Sequence, residues 1–203
     1  MSAKPRPPFD ARPVVLEGAH VRLEPLSAGH LDGIMAAGED EKIWRWLPYR
    51  PRTRTEYERW LGDALDAAAR GEQLPWATVD RASGEVDGST RVYLVSPPDR
   101  RVEIGGTWLA PRAQRTAINT EAKYLQLAHC FETMGCVRVE LKTDSRNTNS
   151  QRAMARIGAR YEGVMRKHML TRGGVYRDSV YYAITDDDWP EVRARLRGML
   201  GVL

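Results

Sequence analysis

The sequence predicts a mixed α+β fold: a mostly antiparallel, twisted sheet of about seven strands with a central, splayed parallel pair, flanked by about four helices. Three features predict it. Between Pro75 and Ala110 the runs PWATVD, VDGSTRVYLV and VEIGGTWLA are separated only by turn residues, the pattern of an antiparallel meander. From residue 101 to 144 a strand, a helical stretch and a second strand follow one another, which calls for a parallel pair joined by a right-handed crossover. Near the C-terminus RYEGVMRKHML and VYRDSVYYAIT flank Arg172-Gly173-Gly174 and read as a hairpin.

Each element follows from its pattern. In GAHVRLEPL (18–26) Val21 and Leu23 alternate with Arg22 and Glu24, the period of a half-buried strand. Ser27 caps a helix in which Leu31, Ile34 and Met35 recur at three-to-four spacing up to Gly38. A loop containing Trp44, Trp46, Pro48 and Tyr49 leads to a helix from Thr55, whose Trp60, Leu61, Ala64, Leu65 and Ala68 form one face before Gly71 ends it. After the meander a helix is expected from Thr120 to Met134, with Tyr124, Leu127, Ala128, Phe131 and Met134 aligned and Gly135 as its stop. VRVELKTD is then a strand, and Asn149 to Ile157 a short helix closed by Gly158. WPEVRARLRGML is an amphipathic C-terminal helix with Pro190 in its first turn.

Residues 1–13 carry four prolines and are expected to form a flexible or extended arm, leaving residues 14–203 as one domain. That arm lacks the apolar run of a secretory signal, and no stretch approaches the roughly 18 apolar residues of a membrane span. A cytoplasmic protein without membrane partners is therefore expected. Cys130 and Cys136 show no metal-ligand spacing and read as two buried thiols, so no metal is expected. The net charge of +4 comes mostly from scattered arginines, with no basic block to imply nucleic acid. His129 and His168 are isolated, and Tyr176, Tyr181 and Tyr182 read as sheet packing. Oligomeric state stays open, a homodimer included.

The chemistry concentrates around EIGGTWLAPRAQRTAINTEAK (103–123). Consecutive backbone N–H groups at the positive end of a helix are a natural seat for phosphate. Gln114, Arg115, Thr116, Ala117, Ile118 and Asn119 stand at such a place, between a strand and the helix expected from Thr120. With Ala117 where a glycine would ease positive φ, this loop is expected to use ordinary backbone angles. Taken alone, the segment is better explained as a plain strand-to-helix connection, since many such connections bind nothing. Glu103 interrupts the apolar run Val102 to Leu109, so burial would raise its pKa toward that of a useful base. Gly105-Gly106 mark a candidate bulge that would splay this strand from VRVELKTD.

The segment resembles the acetyl-CoA loop of the GNAT superfamily of N-acetyltransferases, whose pattern is Gln/Arg-x-x-Gly-x-Gly/Ala. The longer string, with VRVELKTDSRNTNSQRAMARIGARYEG and GAHVRLEPL, resembles the RimJ/RimL-type branch that acetylates protein α-amines, over roughly residues 14 to 190. The resemblance implies a GNAT fold and acetyl-CoA as donor. It implies a pyrophosphate at Gln114–Asn119 and Thr120, and a pantetheine along Thr107, Trp108 and Leu109 with Asn147 as a hydrogen-bonding partner. A backbone N–H near Thr107 or Trp108 would polarise the thioester carbonyl. It also implies Glu103 as base, acting directly or through water, and Ser150 beside the sulfur as a proton donor to the thiolate. For Ser150, helix capping or solvation is the stronger claimant. Two departures stand out: Ala117 replaces the first motif glycine, and Met154 occupies the position where many of these enzymes carry a catalytic tyrosine.

Acyl transfer requires a neutral nitrogen. At pH 7 an α-amine (pKa about 7.7–8.0) must give up roughly 1.4 kcal/mol to deprotonate and a lysine (about 10.4) roughly 4.6, so one modest base suits the α-amine better. The expected acceptor is a protein or peptide N-terminus. Alternatives are a small amine such as an antibiotic or polyamine, and a non-catalytic acyl-CoA-binding module. Trp44, Trp46 and Tyr49 lie in WRWLPYRPR, where aromatics interleave with arginines as in RNA-binding patches. In the GNAT reading these three border the acceptor cleft or simply pack.

Overall fold

The computed structural model describes residues 6–172 and 174–201. Eight strands form one open sheet: β1 (Leu16–Glu17), β2 (Val21–Pro25), β3 (Gln73–Asp80), β4 (Val86–Ser96), β5 (Arg101–Leu109), β6 (Arg138–Asp144), β7 (Arg160–Leu170) and β8 (Tyr176–Thr185). Among the described residues five α-helices accompany them: α1 (Leu31–Ala37), α2 (Arg54–Ala69), α3 (Ala117–Ala128), α4 (Thr148–Arg156) and α5 (Trp189–Met199). This is the expected mixed α+β architecture, with β5 and β6 as the one parallel pair described.

The strand order is β1-β2-β3-β4-β5-β6-β8-β7, so the C-terminal hairpin enters the sheet by its second strand. β8 pairs antiparallel with the whole of β6, from Arg138↔Thr185 to Asp144↔Ser179, and leaves β7 at the edge. Tyr182 accordingly packs in the core, while β7 leaves Tyr161, Val164 and Met165 exposed. Of the expected hairpin turn, Gly173 lies outside the described residues, as do residues 1–5 of the N-terminal arm.

Sheet alternation divides the core in two. One cluster, including Val21, Leu23, Trp76, Val92, Val102 and Ile104, packs against Ile118, Leu127 and Phe131 and against Trp189 and Leu196 of α5. On the opposite face Ala77, Val79, Trp108 and Ala110 pack against Ile34 of α1 and Tyr57, Trp60 and Leu61 of α2. Cys130 and Cys136 are buried free thiols in the first cluster. α2 opens on a capping box, with Thr53 Oγ1 accepting from Glu56 N while the Glu56 carboxylate accepts from the N–H groups of Arg52 and Thr53.

The β5–β6 crossover differs from the expected single helix in two ways. It begins at Ala117 rather than Thr120, because Thr116 serves as the cap. Beyond Ala128 it widens into a π-helical turn over His129–Thr133 before Gly135, at φ +65°, ends it. Residues 6–13 run without regular structure along the domain, tied by Arg6 to Asp186 at 2.8 Å and by Pro7 O accepting from Arg100 Nη1 at 2.9 Å.

Glu121 joins α3 to the first hairpin. Its carboxylate accepts from the backbone N–H groups of Ala19 (2.8 Å), His20 (2.6 Å) and Val21 (2.8 Å), and a Cβ on Gly18 would stand 2.2 Å from its Cδ. Glu121→Ala strands these donors and should destabilise the domain by on the order of 3 kcal/mol in urea unfolding. A change below roughly 0.5 kcal/mol would mean that this turn does not depend on the carboxylate.

Candidate active site

The site begins with a defect in the sheet. Between Ser89↔Trp108 and Arg91↔Gly105, Gly106 and Thr107 of β5 stand opposite Thr90 alone, a β-bulge. Gly106 adopts φ +59°, where a side chain is strained, and its Cβ would lie 2.9 Å from the Tyr93 hydroxyl. On its other side β5 pairs with β6 only at Arg101↔Arg138, Val102↔Val139 and Glu103↔Glu140. Beyond Glu103 the parallel strands part, as the Gly105-Gly106 pair led us to expect. The gap opens into a cavity of about 600 Å³ lined by Ile104–Thr107, Leu141–Thr143, Asn119 and Lys123, by Asn147, Ser150 and Met154, and by Trp46 and Tyr49.

Glu103 sits at the last paired position, 6% exposed. Its Oε2 accepts from Lys142 Nζ at 2.6 Å. Its Oε1 lies 3.0 Å from where a Gly105 Cβ would stand, so glycine leaves room for this carboxylate to lie along the strand. Burial pushes the Glu103 pKa up; Lys142 and the more distant Arg177 oppose the rise, and Glu140 adds to it. Tyr93, across from Glu103 on β4, is pushed up to about 12 by burial, which keeps its phenol neutral.

The segment from 114 to 120 is built differently from its expected form. Arg115 has φ +62°, a left-handed conformation carried by a non-glycine residue, rather than ordinary backbone angles throughout. The reversal lets Thr116 turn back: its Oγ1 donates to Ala113 O at 2.7 Å and accepts from Ile118 N at 3.3 Å. Gln114 Nε2 donates to Leu109 O at 2.9 Å, tying the start of the loop to the end of β5. With α3 starting at Ala117, the N–H groups of Ala117 and Asn119 belong to the first turn and have no partner inside the helix. Asn119 also lines the cavity, where its buried Oδ1 has no hydrogen-bond partner among the described residues. Thr120 is turned inward, its Oγ1 accepting from Arg156 Nη2 at 2.9 Å. Free first-turn donors, an orphaned amide oxygen and a slot leading to a buried carboxylate together fit a pyrophosphate-bearing, amide-rich cofactor such as coenzyme A.

Across the gap, Asn147 caps α4: its Oδ1 accepts from Ser150 N at 3.2 Å and its Nδ2 donates to Thr143 Oγ1 at 3.1 Å. Ser150 lines the cavity, and its hydroxyl makes no hydrogen bond among the described residues. Met154, at the position where many GNAT enzymes carry a tyrosine, lines the same cavity.

Ile118 packs in the first core cluster, and outside the 114–120 segment three further expected site residues are turned away from the cavity. Trp44, 1% exposed, donates from Nε1 to Gly38 O at 2.8 Å, and its ring lies 4.8 Å from that of Trp108. Both indoles are core of the α1–α2 face, because the large apolar surface of an indole is most stable where packing is densest. Leu109 packs into the other core, so Trp108 and Leu109 have only their backbones to offer a ligand. Trp46 and Tyr49 do line the cavity, and the Trp46 ring carries the Arg45 and Arg146 guanidinium groups at 4.7 and 5.4 Å.

The structure adds Lys123, Lys142, Tyr93 and Arg177 to the lining. Lys123 is unusual in being 7% exposed with no carboxylate beside it among the described residues: Nζ reaches Thr107 Oγ1 at 2.8 Å, Gln126 Oε1 at 2.9 Å and Thr90 Oγ1 at 3.1 Å. Burial lowers its pKa to about 7. In sequence it lies among the apolar positions Tyr124 and Leu127, so only a charged residue breaking into that face could have drawn attention to it.

The acetyltransferase (GNAT) domain family matches residues 20–160. The chain therefore belongs to the GNAT family, and its fold is that of an N-acetyltransferase. Among curated proteins it is 27% identical over 118 residues to the uncharacterized N-acetyltransferase YoaA of Bacillus subtilis (strain 168), the match spanning 58% of this chain and 65% of that protein. A GCN5-related N-acetyltransferase from Brucella melitensis has 34% identity and a TM-score of 0.86, covering 97% of this chain and 88% of its own. Mycobacterium smegmatis RimJ, solved in complex with CoA-disulfide, shares the fold at 22% identity and a TM-score of 0.81, over 94% and 96% of the two chains.

The buried lysine has a measurable signature. Unfolded, Lys123 titrates near 10.4, and folded it titrates at about 7, so between these values the unfolded chain binds more protons and stability rises with pH. The wild type should gain on Lys123→Met at up to about 1.4 kcal/mol per pH unit from pH 7 to 10, in denaturant titrations of both proteins. Parallel curves would show that the ammonium is charged in the folded state.

Proposed function

We propose that the chain transfers the acetyl group of acetyl-CoA to the α-amine of a protein or peptide, in the manner of the RimJ/RimL-type branch. The observation that carries the reading is Glu103: a buried carboxylate of raised pKa at the point where β5 leaves β6, ion-paired through only one of its oxygens. Acetyl-CoA would supply the acyl group already activated as a thioester. Glu103 takes the proton of the acceptor amine, directly or through water, and releases it to solvent, while the Lys142 ammonium holds the carboxylate in place. The N–H groups of Ala117 and Asn119, with the Gln114–Thr120 turn around them, hold the pyrophosphate. Asn147 and the Asn119 amide orient the pantetheine, and a β5 N–H near Thr107 polarises the carbonyl. The Ser150 hydroxyl would donate a hydrogen bond to the departing thiolate, which takes its proton from solvent, an assistance that is modest because a thiol of pKa about 8.5 already leaves readily. Trp46 and Tyr49 wall the acceptor side.

The lining charges argue between acceptors. Lys142 and Arg177 act on the single cavity-lining carboxylate, Glu103. A polycation such as a polyamine or aminoglycoside meets net repulsion there. An α-amine carries one charge and loses it easily, which favours an N-terminus. The non-catalytic acyl-CoA binder is the second reading, favoured by Ala117 and by Met154 in place of a tyrosine.

Peptide acetylation followed by mass spectrometry tests the reading with Glu103→Gln as the control. The variant should lose roughly 10²-fold in kcat/KM below pH 8 and regain part of it as the amine deprotonates unaided. An unchanged profile removes Glu103 from the chemistry, and acetyl-CoA binding without transfer to any amine selects the binder.

A further inference from the structure

Beside the acceptor cavity lies a second recess of about 310 Å³, lined by Tyr49, Arg50, Pro51, Glu56, Arg59, Trp60, Asp63 and Arg91. Tyr49 is the wall the two share. Arg91 belongs to β4, paired with Gly105, and is 7% exposed. Its Nη1 donates to Gln73 Oε1 at 3.2 Å, while Nε and Nη2 are buried with no hydrogen-bond partner among the described residues. It makes no ion pair in the described structure, only stacking, with its guanidinium 4.8 Å from the Trp60 ring centroid and 5.9 Å from that of Tyr49.

A buried guanidinium with two idle donors is a fork without its carboxylate. The neighbouring acids do not supply one: the Glu56 carboxylate is engaged by the N–H groups of Arg52 and Thr53, and Asp63 is exposed on the rim. Arg50 and Arg59 add positive charge to the same lining. Placement ties this group to the reaction. Arg91 and Tyr93 alternate onto one face of β4, and Glu103, opposite Tyr93, shares that face. Arg91 and Glu103 are thus diagonal neighbours across the β4–β5 pair, with Cα atoms roughly 7–8 Å apart. The Arg91 Cδ and the Tyr49 hydroxyl both lie 3.5 Å from where a Gly106 Cβ would stand, so the stem of the arginine borders the bulge itself.

We propose that Arg91 is an anion subsite of the acceptor cleft, selecting amines that carry a carboxylate a few bonds from the reacting nitrogen, such as a peptide whose first residue is Asp or Glu. Glu103 engages the amine and Arg91 the carboxylate, so that each side chain gains the partner it lacks. Tyr49 swings aside or slides along the guanidinium to admit the side chain. The inference rests on the acetyl-transfer reading for its assignment to the acceptor, though an anion subsite is measurable without turnover.

The test uses peptide amides identical except for their first residue, Glu against Gln and Asp against Asn, so that the carboxylate is the only variable. Calorimetry on the CoA-loaded protein gives Kd, and acetylation gives kcat/KM. The acidic peptides should lead their neutral partners by at least about tenfold in both. Arg91→Gln should collapse that ratio toward one, whereas Arg91→Lys, keeping the charge but not the fork, should retain part of it. Equal binding of acidic and neutral peptides by the wild type overturns the subsite, and needs no variant to fold. A ratio that survives Arg91→Gln overturns the assignment to Arg91. Transfer to neutral peptides without acidic preference leaves the transferase and removes the subsite; acidic preference in binding with no transfer keeps the subsite and removes the transferase.

Discussion

The site depends on one interruption of hydrogen bonding. A parallel pair in the middle of a sheet would normally stay zipped, because each unpaired N–H and C=O left there is costly. Here β5 spends an extra residue at Gly106–Thr107, twists, and leaves β6 after three paired positions. A left-handed glycine is needed for the bulge, and a second glycine gives Glu103 its space. The backbone groups thereby freed face a cleft in which a ligand rather than a strand can satisfy them. Binding capacity and the loss of regular structure are the same event.

The remaining features are arranged around that gap. α3 begins beyond the end of β5, its start fixed by the Arg115 reversal and the Thr116 cap. Glu121, one turn further on, clamps the β1–β2 turn and so anchors the helix whose first N–H groups face the ligand. Lys123 fills the space behind the bulge and bonds to Thr90 and Thr107, the two residues that the irregular register throws together. Asn147 performs the equivalent service across the cleft, joining β6 through Thr143 to the first turn of α4. Charge is concentrated here at a desolvation cost, with Glu103, Arg91 and Arg177 all nearly buried.

Much of this was legible in the sequence, for physical reasons that also mark where legibility ends. Period-two runs located the meander, and the strand-helix-strand order fixed the parallel pair, because local alternation and connection handedness are properties of short segments. Gly105-Gly106 announced the bulge, since few other pairs permit it. The placement of β8 between β6 and β7 was not legible: the pairing choice of a hairpin is a non-local matter that the alternation of each strand leaves undetermined. An aromatic-rich loop does not reveal which indole packs, so Trp44 and Trp46 were indistinguishable until the fold buried the first and left the second at the cavity. Helix α3 started early because Thr116, a good cap, outweighed the pattern that begins to show only from Thr120. Lys123 and Arg91 escaped notice because charge in a sequence is read as exposure, and both are exceptions to that rule.

The central claim is that the gap between β5 and β6, rather than any surface groove, receives the thioester arm of the cofactor. Amide spectra of uniformly ¹⁵N-labelled protein titrated with coenzyme A measure this most directly. The account predicts saturable shifts at Ile104–Thr107, at Ala117 and Asn119, and at the α4 cap around Asn147, with smaller changes elsewhere. Saturation that leaves Gly105–Thr107 unmoved while shifting amides of another face would contradict it.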